Sequence, residues 1–326
     1  MTTHKAKWTT IAALGLLTLV GIAPARAQEY PARPVRIITD SGPGSAVDAT
    51  NRIITDSLSR VLGQQAIVIN QPGAGGAVAV RAAAAAAPDG YTFVIASLSA
   101  FVAATETTPG LPIQVPKDFT AVAYLGGAPM FITASPSLGV KTIPELIELA
   151  KKKPGELAYG TNGPGRLTHL TGELLQSNTG IKLLMVPYSG GTAQVLNDVM
   201  GGRIPIAIDA YSGLAGAIEN KTVVPLAVAA PRRVPHFPNL PTVAETIPGF
   251  EAGGWQVLLA PAGTPDAIVQ KVNGDVIKAL ADPEARSRLI RLGRDERPTS
   301  PAETLAFVHS EQRKWAPIVQ RITAAR

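Results

Sequence analysis

The chain contains no cysteine. Disulfides and thiolate metal sites are thereby excluded, and so is a lipoprotein anchor, which needs a cysteine at its processing site. Histidine is almost as scarce. His4, His169, His236 and His309 are the whole set, and none has zinc-ligand spacing with an acid or another histidine. Catalytic signatures are missing as well. There is no G-x-S-x-G elbow, no S-x-x-K and no G-x-x-x-x-G-K-[ST] phosphate loop. The nearest dinucleotide pattern, Gly73-Ala74-Gly75-Gly76-Ala77-Val78, has valine where a small residue belongs. One basic run exists, through Arg286, Arg288, Arg291, Arg294 and Arg297. It is interleaved with Glu284, Asp295 and Glu296 and holds no aromatic residue to stack on bases. It reads as a solvated helix face, and no nucleic-acid partner is expected. No metal ion and no cofactor is expected either.

What is present suits a folded protein with a substantial core. The chain has 326 residues, 46% hydrophobic and 17% charged, which gives length for about two domains. The start carries an export pattern: basic Lys5 and Lys7, an apolar run from Ile11 to Ala23, then Ala25-Arg26-Ala27. A secretory signal over residues 1–27, cleaved after Ala27, is expected, with a periplasmic location. The alternative, a membrane anchor, needs ~18 or more apolar residues, and this run is shorter. Loss of Lys5, Lys7 and Arg26 takes the formal charge from +6 to +3, so much of the basic balance belongs to the leader.

Beyond the leader the chain alternates strand and helix signals. Strands are expected at Val35–Thr39, Ala66–Asn70, Tyr91–Ser97, Met130–Ala134, Leu157–Gly160, Leu183–Val186, Ile204–Asp209, Val223–Ala229 and Gln256–Ala260. Helices are expected at Ala46–Leu62, in the alanine-rich stretch after the Gln71–Gly76 loop up to Ala87, and at Ile143–Lys152, Arg166–Asn178, Gly190–Met200, Pro265–Leu280, Pro283–Leu292 and Ala302–Thr323. Thr264 and Asp282 would cap helices that begin with proline. This rhythm predicts an α/β protein with parallel sheets covered on both faces. Pro231 to Pro241 holds four prolines and reads as a surface loop.

Two loops are candidates for binding. Ser41-Gly42-Pro43-Gly44-Ser45 and Thr161-Asn162-Gly163-Pro164-Gly165 each follow a strand and open a helix. The first turn of a helix has unpaired N–H donors and a partial positive charge, so such a junction can hold an anion without lysine or arginine. Asp48, in the first turn after loop one, either complements the helix dipole or orients a polar group of a ligand. Arg166 and His169 open the helix after loop two. Arg166 could pair with a carboxylate or face solvent; His169 could do the same or cap and pack. Tyr188-Ser189-Gly190 forms a third strand-to-helix loop. Ser97 and Ser99 end one strand and Asp209 another, where side chains reach a cleft mouth in open α/β sheets.

At this point the mature chain resembles one family, the substrate-binding proteins of tripartite tricarboxylate transporters, or Bug family of bacterial extracytoplasmic receptors. The resemblance runs through Tyr30-Pro31-Ala32-Arg33-Pro34-Val35-Arg36-Ile37, Asn70-Gln71-Pro72-Gly73-Ala74-Gly75-Gly76, Ala87-Pro88-Asp89-Gly90-Tyr91-Thr92 and Lys117-Asp118-Phe119. It continues with Thr161 to Gly165 and His169, Val186-Pro187-Tyr188-Ser189-Gly190, Leu240-Pro241-Thr242-Val243-Ala244-Glu245 and Leu259 to Pro265. It implies a type II periplasmic-binding-protein fold: two α/β domains with a hinged ligand cleft. Domain 1 would comprise 28–126 plus 250–326, and domain 2 would be 127–249. It implies a non-catalytic receptor that captures a small organic carboxylate, with the first binding loop at Gly42 to Asp48 and the second at Thr161 to Arg166. Its partners would be integral-membrane permease subunits or a sensor, and it would act as a monomer. A sensor ligand-loader and a carboxylate-processing enzyme on the same scaffold are the alternatives. Three positions depart from the family pattern: Thr39-Asp40-Ser41 replaces a phenylalanine-rich lead, Ser45-Ala46-Val47 replaces glycines and threonine, and Arg166 stands where a small or neutral residue is usual.

Overall fold

The computed structural model describes residues 30–101, 113–188, 191–235, 237–294 and 297–324. The expected leader, and Ser189 and Gly190 of the third loop, lie outside the described residues.

In chain order the elements are β1 (Val35–Thr39), α1 (Ala46–Leu62), β2 (Ala66–Asn70), α2 (Ala77–Ala84), β3 (Thr92–Ser97), β4 (Phe119–Ala134), α3 (Ile143–Lys152), β5 (Ala158–Thr161) and α4 (Leu167–Thr179). There follow β6 (Leu184–Pro187), α5 (Thr192–Met200), β7 (Ile206–Ala210), α6 (Tyr211–Glu219), β8 (Val224–Val228), β9 (Gly253–Pro261), α7 (Asp266–Ala281), α8 (Pro283–Arg291) and α9 (Pro301–Ala324). Local chemistry sets several ends. The Ser45 hydroxyl accepts the Asp48 amide to start α1, and Gly63 in the left-handed region stops it. Thr142 caps α3 through the Glu145 amide, and Asp282 caps α8 through the Ala285 amide ahead of Pro283. Thr264 does not cap α7: Pro265 holds the cap position, and the Thr264 hydroxyl instead donates to the Pro261 carbonyl at 2.8 Å.

The strands pair in the order β2-β1-β3-β9-β4-β7-β5-β6, with β8 also on β4. The β1–β2, β1–β3, β5–β6 and β5–β7 pairs are parallel, as the alternating pattern predicts. The β3–β9, β4–β7, β4–β8 and β4–β9 pairs are antiparallel, so the sheets are mixed rather than parallel throughout. The antiparallel pairs all involve two strands, β4 and β9. The stretch Phe119–Pro129 of β4 runs beside β9 in one sheet, and Met130–Ala134 runs beside β7 and β8 in the other. One continuous strand thus belongs to both halves of the molecule.

That strand is 16 residues long, although only its last five read as strand in sequence. Gly126, Gly127 and Pro129 look like breakers, but register shifts between Ala121 and Ala123 and between Tyr124 and Gly127 absorb the irregularity. Gly127 is required by contact: a Cβ there would stand 2.8 Å from the Tyr124 hydroxyl and 3.1 Å from the Gly254 carbonyl. Helix α6 was also not evident in sequence. Its glycines dilute the helical signal, and burial of Leu214 and Ala217 holds it.

Apolar packing follows the same plan. Ile37, Phe93, Ile95 and Leu258 meet Ile54, Val269 and Leu289 of the helices over one face of the first sheet. Phe131, Val195, Ala207 and Leu214 form a core in the second half. A larger cluster spans both, from Val94 and Phe119 to Ile132, Tyr159 and Leu170, with Trp315 and Ile318 of α9. Arg321 of α9 donates to the Glu173 carbonyl of α4 at 2.7 Å. The C-terminal helix therefore lies across the two halves and fixes the rear of the strand crossing.

Candidate ligand-binding cleft

A cleft of about 620 Å³ opens between the two sheets, on one side of the crossing strands. The first half supplies Asp40 to Gly42, Ser45 and Val47, with Ser97 at the end of β3 and Ser99 in the helical turn that follows it. The second supplies Asn162, Arg166 to Thr168, Asp209 and Ser212. Ala128 and Met130 of β4 with Trp255 and Gln256 of β9 close the back. Its size suits a small organic molecule.

The first loop is held by a polar network beneath it. Asp48 accepts the Gly44 amide at 2.9 Å, Arg52 Nε at 3.0 Å and Asn70 Nδ2 at 2.7 Å. Burial would raise its pKa, but these donors outweigh that and hold it down to about 2. The carboxylate turns away from the cleft, so Asp48 shapes the loop rather than lining the site. Asn70 also donates to the Ser41 carbonyl at 3.0 Å. Asn51 donates to the Thr39 hydroxyl at 2.8 Å and receives Gln256 Nε2 at 2.8 Å, tying β9 to the loop. The Gln256 carbonyl oxygen is buried in the cleft wall without a partner among the described residues.

The second loop braces itself similarly. The Asn162 amide donates to the Thr168 hydroxyl at 2.9 Å, the Gly163 amide to the Thr161 hydroxyl at 3.2 Å, and the Gly165 amide to His169 Nδ1 at 3.1 Å. These loop amides are consumed internally, as are those of Ser41, Gly44 and Ser45 in the first loop. Of the residues that line the cleft, Val47 of α1 and Leu167 and Thr168 of α4 stand in first turns, where amides have no intrahelical partner, and Gly42 lies in the loop ahead of α1.

Charge in the cleft is mixed. Asp40, at the end of β1, accepts the Ser97 hydroxyl at 2.7 Å. Burial raises its pKa, opposed by Ser97, its own backbone amide and the positive field of Arg166. Arg166 thus acts electrostatically on a residue of the opposite half. A Cβ on Gly76 would stand 2.9 Å from the Asp40 carboxylate, so the loop before α2 needs glycine to approach it. Asp209, at the end of β7, accepts from Thr192, from the Ala210 amide at 2.7 Å and from Asn162 Nδ2 at 3.4 Å. Burial raises its pKa too. Among the described residues no cluster of three or more histidines, aspartates and glutamates could hold a metal ion.

Of the residues singled out from sequence, Ser41, Gly42, Ser45, Ser97, Ser99, Asn162, Arg166 and Asp209 line this cleft. Pro43, Gly44, Asp48, Thr161, Gly163 and His169 do not line it and belong to the loops and their supports. Tyr188 points elsewhere, donating to Asp198 at 2.6 Å. Asp40 and Gln256 are lining residues that sequence reasoning did not select. For Asp40 a signal existed: an acid directly after the apolar strand β1, at a sheet edge where ligands sit. Gln256 had none, since only the β3–β9 pairing brings it to the loop.

Two helix starts facing one another over a cleft at strand ends, with strands passing between the halves, define a solute-binding protein of the periplasmic-binding-protein type. Residues 50–324 match the tripartite tricarboxylate transporter family receptor, and the chain belongs to that family. Protein BugT of Bordetella pertussis is 33% identical over 319 residues, with 95% of this chain and 98% of that protein covered. The structure of R. palustris Rpa4515 with adipate is similar with a TM-score of 0.75 and 30% identity, covering 90% of this chain and 98% of that one. MatC (Rpa3494) from Rhodopseudomonas palustris with bound malate is similar with a TM-score of 0.72 and 31% identity, covering 89% of this chain and all (100%) of that one. Among the described residues no helix is long and apolar enough to cross a membrane.

Proposed function

We propose that this chain is an exported, non-catalytic receptor that captures a small organic carboxylate and delivers it to integral-membrane permease subunits. The observation that carries the reading is the convergence of the α1 and α4 starts on one cleft, with Arg166 lining it opposite Asp40 of the other half. Helix-start amides and one guanidinium suit a carboxylate. Relatives named for bound adipate and malate support the same ligand class. In this reading 28–126 with 250–326 forms one domain and 127–249 the other, and the cleft closes by flexing β4 and β9. A ligand drives closure only through stronger contacts in the closed form.

The test is a thermal-shift screen of the mature protein against succinate, adipate, malate, citrate, benzoate and glutamate, each paired with its amide or alcohol. A true ligand at about 100 times its dissociation constant adds ~2.7 kcal/mol of stability. Arg166→Ala is expected to weaken that ligand at least tenfold. Shifts from the neutral partners equal to those from the acids would remove the proposal, and so would turnover of the bound acid.

A further inference from the structure

Behind the crossing strands lies a second cavity, of about 630 Å³. Met130 of β4 and Gly254 and Gln256 of β9 line only the front, and Pro129, Phe131 and Gly253 line only the rear, whereas Ala128, Trp255 and Arg294 border both cavities. Successive strand residues point to opposite faces, so the two cavities lie largely on opposite faces of the strand pair and share a wall at those three residues.

The rear cavity has an aromatic floor. Phe131, Tyr211 and Phe237 contact one another with ring centroids 5.0 to 5.8 Å apart. Phe307 meets Trp255 at 5.3 Å and Tyr124 at 4.9 Å. Phe237, Tyr211 and Phe307 are only half-buried, and Ile290 beside them is 41% exposed. Exposed aromatic faces gathered in a concave wall mark a binding surface more often than isolated exposed side chains do.

The rim is cationic. Among the described residues, six basic side chains line the cavity against two carboxylates, Glu251 and Glu311. Arg233 is matched by Glu245 at 2.7 Å, and Lys314 pairs with Glu311. Arg294 donates to the Leu125 and Gly126 carbonyls at 3.3 and 2.9 Å, which fixes its position. Arg297 lies over the Tyr124 ring. Arg232 and Arg286 are exposed and come from opposite halves of the molecule. The sequence reading treats the run from Arg286 to Arg297 as a solvated helix face. Arg286, Arg294 and Arg297 instead border this cavity, and Arg288 and Arg291 do not.

We propose that the rear cavity is a second binding site, for an organic anion with an aromatic body, an aryl carboxylate being the simplest class. The ring lies on the aromatic floor and the carboxylate meets the guanidinium groups of the rim. A neutral arene gains only the floor, and a bare inorganic anion gains only the rim. The front cleft differs in charge balance: Asp40 and Asp209 stand there against Arg166 and the shared Arg294.

The experiment is calorimetric titration of the mature protein with 2-naphthoate, with 2-naphthamide and sulfate as controls. The expected result is saturable binding of naphthoate, at least tenfold weaker binding of the amide and of sulfate, and affinity that falls as salt rises. The double variant Arg232→Glu/Arg286→Glu, at two exposed positions remote from the front cleft, should weaken naphthoate at least tenfold with its Tm unchanged. Arg166→Ala should leave naphthoate binding as it was. Absence of saturable binding, equal binding of the amide, or loss in Arg166→Ala with retention in the double variant would overturn the proposal. The front-cleft reading is judged on the aliphatic acids of the screen and on Arg166→Ala, so the two fail independently.

Discussion

Asp40 and Asp48 flank the first loop, yet their surroundings push them in opposite directions. Asp48 collects three donors, and its pKa falls to about 2. A carboxylate whose folded pKa lies below its unfolded value stabilises the fold above the ordinary aspartate range, and that contribution disappears as pH falls through the folded pKa. Asp48→Asn is therefore expected to lower unfolding free energy by about 2 kcal/mol at neutral pH. In urea titrations it should also flatten the loss of stability between the ordinary aspartate pKa, 3.8, and about 2. Asp40 and Asp209 are raised by burial, so falling pH protonates them before an exposed aspartate. Each protonation removes negative charge from the cleft, so affinity for a dicarboxylate, corrected for the acid's own protonation, should rise as pH falls toward the ordinary aspartate range. Asp40→Asn should reduce that dependence; calorimetry over a pH series measures it. The cleft's serines and Arg166 were legible because strand-end and helix-start positions can be read from one segment. Asp48 was legible as a position but not as a role, because its partners Asn70 and Arg52 lie on β2 and on the next turn of α1.

Capped helices were legible almost to the residue. For α1, α3 and α8 the cap, the first turn and the stop are all local signals. Strand β4 was not, because its irregular middle is held by partners far away in the chain. Gly126, Gly127 and Pro129 say "break" locally, while pairing with β9 carries the strand through them. The same contact supplies a test. Gly127→Val puts a branched side chain against the Gly254 carbonyl and the Tyr124 hydroxyl. We expect a loss of about 1–3 kcal/mol in urea unfolding, the range for overpacking a tight site. An unchanged midpoint would mean that the strands can part there without cost.

Across the whole molecule, the α/β class followed from the alternation of strand and helix, but the mixed sheets did not. Antiparallel pairing through β4 and β9 joins segments more than a hundred residues apart, as in Tyr124 beside Val257. Local periodicity carries no information about that pairing; only the family resemblance suggested passages near Gly126-Gly127 and Gly249 to Gly254. The architecture turns two ordinary strand-to-helix junctions into facing parts of one cleft. Its central claim is that amides at the two helix starts grip a negatively charged ligand together. The direct measurement is an ¹⁵N–¹H NMR titration of the mature protein with the tightest acid from the screen. The account predicts saturating shifts, with one dissociation constant, at the amides of Gly42, Val47, Leu167 and Thr168. Shifts confined to one half, or absent from all four while the acid still binds, would contradict it.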